Sequence, residues 1–259
     1  MRHDPDPIDH ALTRAVVYQA LSLAFQTPTA DRLNRLGARN GFGVLVGALL
    51  TLNESADSKS LARSAARLAS LSVPRVPALT DSYWRLFGHT TRGLVCGCET
   101  EYGPDNGFHQ PQQLADISGF YLAFGLRPLA AAEVRGDHIA CECEFMDFLS
   151  RKEARLLDSD ALDEPSAATL DVTQQGARLF LRDHLGRFGR AFSTRVAAED
   201  GDGYFGAFAG VLFALIEAEC ARVGIQAGPE DLIVRPDDID DTPMACGSAD
   251  ELIQIQRRP

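Results

Sequence analysis

Apolar residues in this chain recur three and four positions apart along nearly its whole length, and strict alternation over β-branched runs is almost absent. That spacing places apolar side chains on one stripe of a 3.6-residue helix, so it demands an all-α fold whose helices bury their stripes against one another. Ile8 to Phe25 shows the pattern first, with Leu12, Val16, Ala20, Leu23 and Ala24 on one side. Further helices are predicted over Thr29 to Gly37, Phe42 to Leu52 and Ser58 to Leu71, and Pro74 and Pro77 then break the run. Thr80 or Asp81 is the expected N-cap of the next helix, which carries Tyr83, Trp84 and Phe87.

A glycine-rich polar loop, Gly88 to Gly107, separates that helix from one with Pro111 in its first turn and Gly125 at its C-cap. Asp137 to Leu157, Ala167 to Leu185, Gly189 to Ala198 and Tyr204 to Val223 complete the set, with an acidic linker over Asp158 to Ser166. The reading is a single compact helical domain of about nine or ten helices at ordinary lengths. It occupies residues 1–228, and an acidic, proline-containing tail follows over 229–259.

Charge narrows the partners. Thirty-six acids against 25 bases give a formal net charge of −11, which lacks the basic footprint of a nucleic-acid binder and suits a basic peptide. The N-terminal MRHDPDPIDH has no apolar run of signal-peptide length, so a cytoplasmic location is expected. The longest apolar stretch, Gly41 to Leu52, is too short for a bilayer, and no membrane span is expected. Six cysteines in such a chain read as reduced thiols.

Two segments could carry chemistry. CGCETEYG, Cys96 to Gly103, sets two thiols beside Glu99 and Glu101, and Cys96 and Cys98 could begin a metal site if a third ligand such as Cys246 or His109 converged. A second Cys-x-Cys pair, Cys141 and Cys143, lies in a predicted helix, where residues two apart face nearly opposite ways, so both cannot join one ion. Cys143 is placed as a small core residue. In the same segment His138 and Glu142 stand four apart, with Asp137 at or near the N-cap. Spacing leaves open a capped helix with a surface contact or a polar cluster lining a groove. No phosphate loop, nucleophile elbow or catalytic constellation is present, so neither a cofactor nor turnover is expected, and the alternative reading is a metal-binding helical enzyme or sensor built on Cys96 and Cys98.

Taken together, these segments resemble the TorD, DmsD and NarJ type of chaperone, which matures molybdenum-containing oxidoreductases. YWRLF resembles the family's Tyr-x-x-Leu-Phe helix, and DHIACECEFM is similar to its Asp-His…Glu-Leu-x-Phe-Met signature at Asp137, His138, Glu142, Phe145 and Met146. CETEYG with the following helix looks like the branch serving enzymes similar to dimethyl sulfide or ethylbenzene dehydrogenase. The chain departs from the pattern at Gly97, where proline is usual, at Cys98, where tyrosine is frequent, and at Cys143, where leucine is usual. The resemblance implies a cytoplasmic, non-enzymatic protein that binds a molybdopterin-containing catalytic subunit and its twin-arginine leader. It implies a binding site with Asp137, His138 and Glu142 at the polar end and Tyr83, Trp84, Phe87, Phe120 and Tyr121 as apolar wall. In that setting the Cys96, Glu99 and Tyr102 loop is structural, joining the aromatic helix to the one beginning near Pro111.

Overall fold

The structure, a computed structural model, describes residues 6–56, 58–88, 93–104, 109–127, 134–158 and 164–235, without the side chains of His109 and Pro165. Ten α-helices make up the described fold: α1 Pro7–Ala24, α2 Ala30–Arg35, α3 Gly43–Ala56, α4 Lys59–Ala69, α5 Val76–Phe87, α6 His109–Ala123, α7 Ile139–Leu157, α8 Glu164–Phe180, α9 Gly186–Glu199 and α10 Tyr204–Arg222. Among the described residues there is no strand, only isolated bridges pairing Cys98 with His138 and Tyr102 with Val234. The all-α architecture is therefore as the periodicity demands.

Local chemistry sets the helix starts. The Asp6 carboxylate accepts from Ile8 N at 2.9 Å with Pro7 just inside α1, Thr29 caps α2 through Arg32 N at 3.1 Å, and Ser58 caps α4. α5 begins at Val76, earlier than the expected cap at Thr80 or Asp81, because Pro77 occupies its first turn, where no N–H is needed. Thr80 instead turns its hydroxyl back to the Val76 carbonyl at 2.9 Å.

α1 packs most extensively on α7, while α10 lies against α9 and α4, and α3 joins α4 to α1. Of the predicted α1 stripe, Ala20, Leu23 and Ala24 are buried, whereas Val16 is half-buried and the first turns bury a different set. Leu12 is exposed and Ala11, Arg14, Ala15, Tyr18 and Leu21 face inward, with Arg14 in a buried ion network with Glu153 of α7 and Glu219 of α10. Burial pushes the Glu219 carboxyl up, but Arg14 and Arg222 outweigh it and hold the group below its ordinary value. α10 is long and apolar enough to cross a membrane, yet 72% of its apolar window is buried inside the fold, where Phe205, Phe208, Leu212 and Leu215 form the centre of the core.

Two boundaries differ from expectation. The sequence suggests a break between Leu185 and Gly189, whereas α8 runs into α9 through a π-turn at Leu181–Leu185. Gly186 and Gly189, which flank the expected break, serve close packing: a Cβ on Gly186 would lie 2.3 Å from the Leu181 carbonyl oxygen, and one on Gly189 2.4 Å from Ile216 Cδ1. The division after Gly228 also cuts through a packed segment. Gly103 N donates to Ile233 O and Arg235 N to Glu101 O, each at 2.8 Å, and Arg195 donates to Leu232 O, so 229–235 is tied to the body. The remainder of the expected tail, from 236, lies outside the described residues.

Candidate functional site

The CETEYG segment folds as a short 3-10 turn, Glu99–Glu101, between α5 and α6, and is buried against the start of α7 and the π-turn. Its backbone is stitched to α7 from both sides: Glu99 N donates to Asp137 O and Ile139 N donates to Gly97 O, each at 2.8 Å. His138 is the N-cap of α7, with Asp137 immediately before it, and its Nδ1 accepts from Ala140 N at 3.2 Å. The imidazole lies over Gly97, where a Cβ would stand 2.4 Å from Nε2. Glycine is therefore the residue that this approach admits, which explains the departure from proline. Burial lowers the His138 pKa to about 4, so the ring is neutral and accepts at the cap.

Asp137, fully buried, accepts from the Thr100 hydroxyl at 2.8 Å and Thr100 N at 3.2 Å. The Arg135 fork completes its shell, with Nε 3.0 Å from Oδ1 and a terminal nitrogen 2.8 Å from Oδ2. The same guanidinium reaches Glu101 Oε1 at 3.0 Å and the Thr100 hydroxyl at 2.6 Å, while Gln110 donates to the other Glu101 oxygen. Glu99, also fully buried, receives Arg187 Nε at 2.9 Å and faces His184 Nδ1 at 3.0 Å. The π-turn between α8 and α9 carries His184 and leads into Arg187, which brings both to this carboxylate.

Glu142 is the third fully buried acid, and no donor reaches either of its oxygens. Desolvation, then the Glu99 and Asp137 carboxyls, push its pKa well above the carboxylate range, and the proton it keeps is shared toward Glu99. Four carboxyls thus converge on one joint, opposed by the guanidiniums of Arg135 and Arg187.

The structure brings Asp137, His138, Glu142 and Tyr121 together: the Tyr121 hydroxyl donates to Gly136 O at 2.7 Å, and its ring packs on Phe145 and Phe180. Phe120 lies on Phe180 and His184. Tyr83 and Phe87 belong to another part of the core, with Phe25, Phe192 and Phe205. Ring contacts through Phe192 and Phe188 lead from there to Tyr102, whose hydroxyl donates to Cys96 O at 2.8 Å. Tyr83, Phe87 and Tyr121 are buried, and Trp84 is half-buried.

Cys96 and Cys98 are buried free thiols. The hydrogen bond between them lowers the pKa of Cys96, the acceptor, and raises that of Cys98, the donor. Among the described residues no group of three or more His, Cys, Asp or Glu is placed to hold a metal. Cys246 and the His109 side chain, the third ligands considered from sequence, lie outside them. Cys143 is fully buried and Cys141 half-buried, as expected for a helix that turns one thiol into the core.

Sequence reasoning missed Thr100, Glu101, Arg135, His184 and Arg187 as members of the joint. Arg135 stands two residues before Asp137 and Thr100 within the quoted loop, so both were within reach. His184 and Arg187 arrive from more than 80 residues away with no local pattern to mark them.

These features define an all-helical scaffold with a buried polar joint between a loop, the start of α7 and the α8–α9 turn, apart from the Arg14 network. A family model described as nitrate reductase delta subunit matches residues 53–194, more than half of the chain and the whole of that joint, and the chain belongs to this family. The family comprises NarJ- and TorD-type chaperones that assist molybdoenzyme maturation and are not enzymes. No curated protein and no solved structure gives a significant match.

Proposed function

We propose that the protein is a cytoplasmic chaperone that binds the apo form of a molybdopterin-containing oxidoreductase catalytic subunit together with its twin-arginine leader. In this reading it holds the subunit back from export until the molybdenum cofactor is inserted. The CETEYG loop and its resemblance favour a client similar to dimethyl sulfide or ethylbenzene dehydrogenase.

The observation that carries the reading is the convergence of Glu99, Glu101, Asp137 and Glu142 inside the stretch matched by the family. A basic leader with an apolar centre calls for carboxylates beside apolar surface. Asp137, His138 and Glu142 shape the polar end, Tyr121 joins them, and Tyr83 and Phe87 support Trp84, the half-buried aromatic on the α5 side. Because Asp137 and Glu142 are buried, engagement there proceeds by exchange of internal partners.

Co-expression with a candidate catalytic subunit tests the reading. The intact apo-subunit is expected to co-purify with the chaperone, with recovery reduced by deleting the leader and by Trp84→Ala. Equal recovery with and without the leader would refute leader recognition.

A further inference from the structure

The Arg135 guanidinium is held as a bound arginine ligand would be. It makes a bidentate contact with Asp137, a third contact to Glu101 Oε1 at 3.0 Å, and a fourth to the Thr100 hydroxyl at 2.6 Å. Its receptors are buried and held by Glu99 N on Asp137 O, Arg235 N on Glu101 O and Thr100 N on the Asp137 carboxylate, whereas Arg135 lies in the non-helical connector before α7, with its side chain 35% exposed. The rigid half of this contact is the cradle, and the accessible half is the arginine. A planar fork meeting paired carboxylates distinguishes arginine from lysine, whose single ammonium cannot span Asp137 and Glu101 in the same way.

Glu142 lies behind this cradle as a neutral acid that shares its proton toward Glu99. It is fully buried beside Asp137 and Glu99, and the chain supplies no donor to either of its oxygens. The charged part of the cradle is therefore Asp137 and Glu101, the two carboxylates that Arg135 spans.

We propose that Arg135 is a built-in occupant of an arginine-binding site formed by Thr100, Glu101 and Asp137, and that an arginine of the client's leader takes its place. This rests on the reading of the protein as a leader-binding chaperone, and adds a regulatory step to it. In the free protein Arg135 satisfies the cradle, and only a segment presenting a guanidinium opens it. Exchange of one guanidinium for another conserves the hydrogen bonds, so selectivity comes from the peptide's further contacts.

The test uses the full chain, the Arg135→Gln and Arg135→Lys variants, and an acetylated synthetic peptide with two adjacent arginines before an apolar run, alongside its twin-lysine counterpart. Removing an internal competitor raises the fraction of binding-competent protein, so Arg135→Gln is expected to bind the arginine peptide roughly tenfold more tightly than the parent. L-arginine methyl ester is expected to raise the thermal midpoint of Arg135→Gln and leave the parent unmoved, with L-lysine methyl ester inert on both. If the glutamine variant does not fold, Arg135→Lys is expected to prefer the arginine peptide more strongly than the parent does. Peptide binding to the parent that neither variant strengthens, without rescue by the arginine ester, overturns the displacement and leaves leader binding standing. Rescue without any peptide binding supports the cradle and removes the leader as its ligand.

Discussion

His138→Asn isolates the histidine that caps α7. The imidazole is neutral in the folded protein because burial lowers its pKa from 6.5 to about 4. Between those values the unfolded chain binds the proton and the folded chain does not, so the contribution is complete above 6.5 and is lost as pH falls toward 4. At about 1.4 kcal/mol per pH unit the full difference is about 3 kcal/mol, of which about 2 kcal/mol is lost between about pH 7 and about pH 5. Protonation also removes the acceptor from Ala140 N, so the electrostatic loss and the loss of the cap coincide. Asparagine keeps a capping oxygen and cannot titrate. It costs a fixed amount of packing over Gly97 at every pH, but its stability is expected to fall less on acidification. Urea unfolding of both proteins at each pH gives the difference, and the imidazole pKa follows independently from the ring proton shifts. Stability curves that run parallel from about pH 7 to about pH 5 would refute the assignment of a buried neutral cap.

Three other substitutions test the joint and the core. Gly97→Ala places a Cβ 2.4 Å from His138 Nε2 and is expected to cost about 1–3 kcal/mol in denaturant unfolding, whereas Gly119→Ala, where a Cβ meets nothing, is expected to be neutral or slightly stabilising. Glu142→Gln removes a carboxyl that must stay protonated in the fold; the parent loses stability as pH rises above the ordinary carboxylate range, so the variant is expected to gain on it by up to about 1.4 kcal/mol per pH unit. Arg14→Ala leaves Glu153 and Glu219 without their shared partner and is expected to cost about 3–5 kcal/mol, while Arg14→Met with Glu153→Gln recovers a large part of it, read by the unfolding midpoint.

Helices were legible because their cause is local. Capping by Asp6, Thr29 and Ser58, and the three-and-four spacing that buries Leu61, Ala65 and Leu68 of α4, depend on residues a few positions apart. The errors fall where tertiary demand overrides local preference. Arg14 inside α1 reads as a solvent residue until Glu153 and Glu219 arrive from α7 and α10. The expected gap between Leu185 and Gly189 closes because the missing side chains of Gly186 and Gly189 let α9 approach its neighbours. The site divides in the same way. Asp137, His138 and Glu142 could be singled out because they share one short segment. Their burial could not, because it is imposed by the CETEYG loop, Arg135 and the α8–α9 turn folding over them. Tyr121 joins these acids through Gly136, whereas Tyr83 and Phe87 keep different ring neighbours, a partition set by the packing of α5 and α6 that helical spacing does not encode.

The claim that the acid-rich joint receives the leader is tested most directly by amide hydrogen exchange on the full chain with and without the twin-arginine peptide. Slowed exchange is expected in 97–102 and 135–143, where Glu99 N and Ile139 N hold the loop to the start of α7 and His138 N closes the turn onto Arg135 O, with no comparable change for the twin-lysine peptide. Protection that appears only elsewhere on the molecule, with these segments unchanged, would contradict the placement of the site.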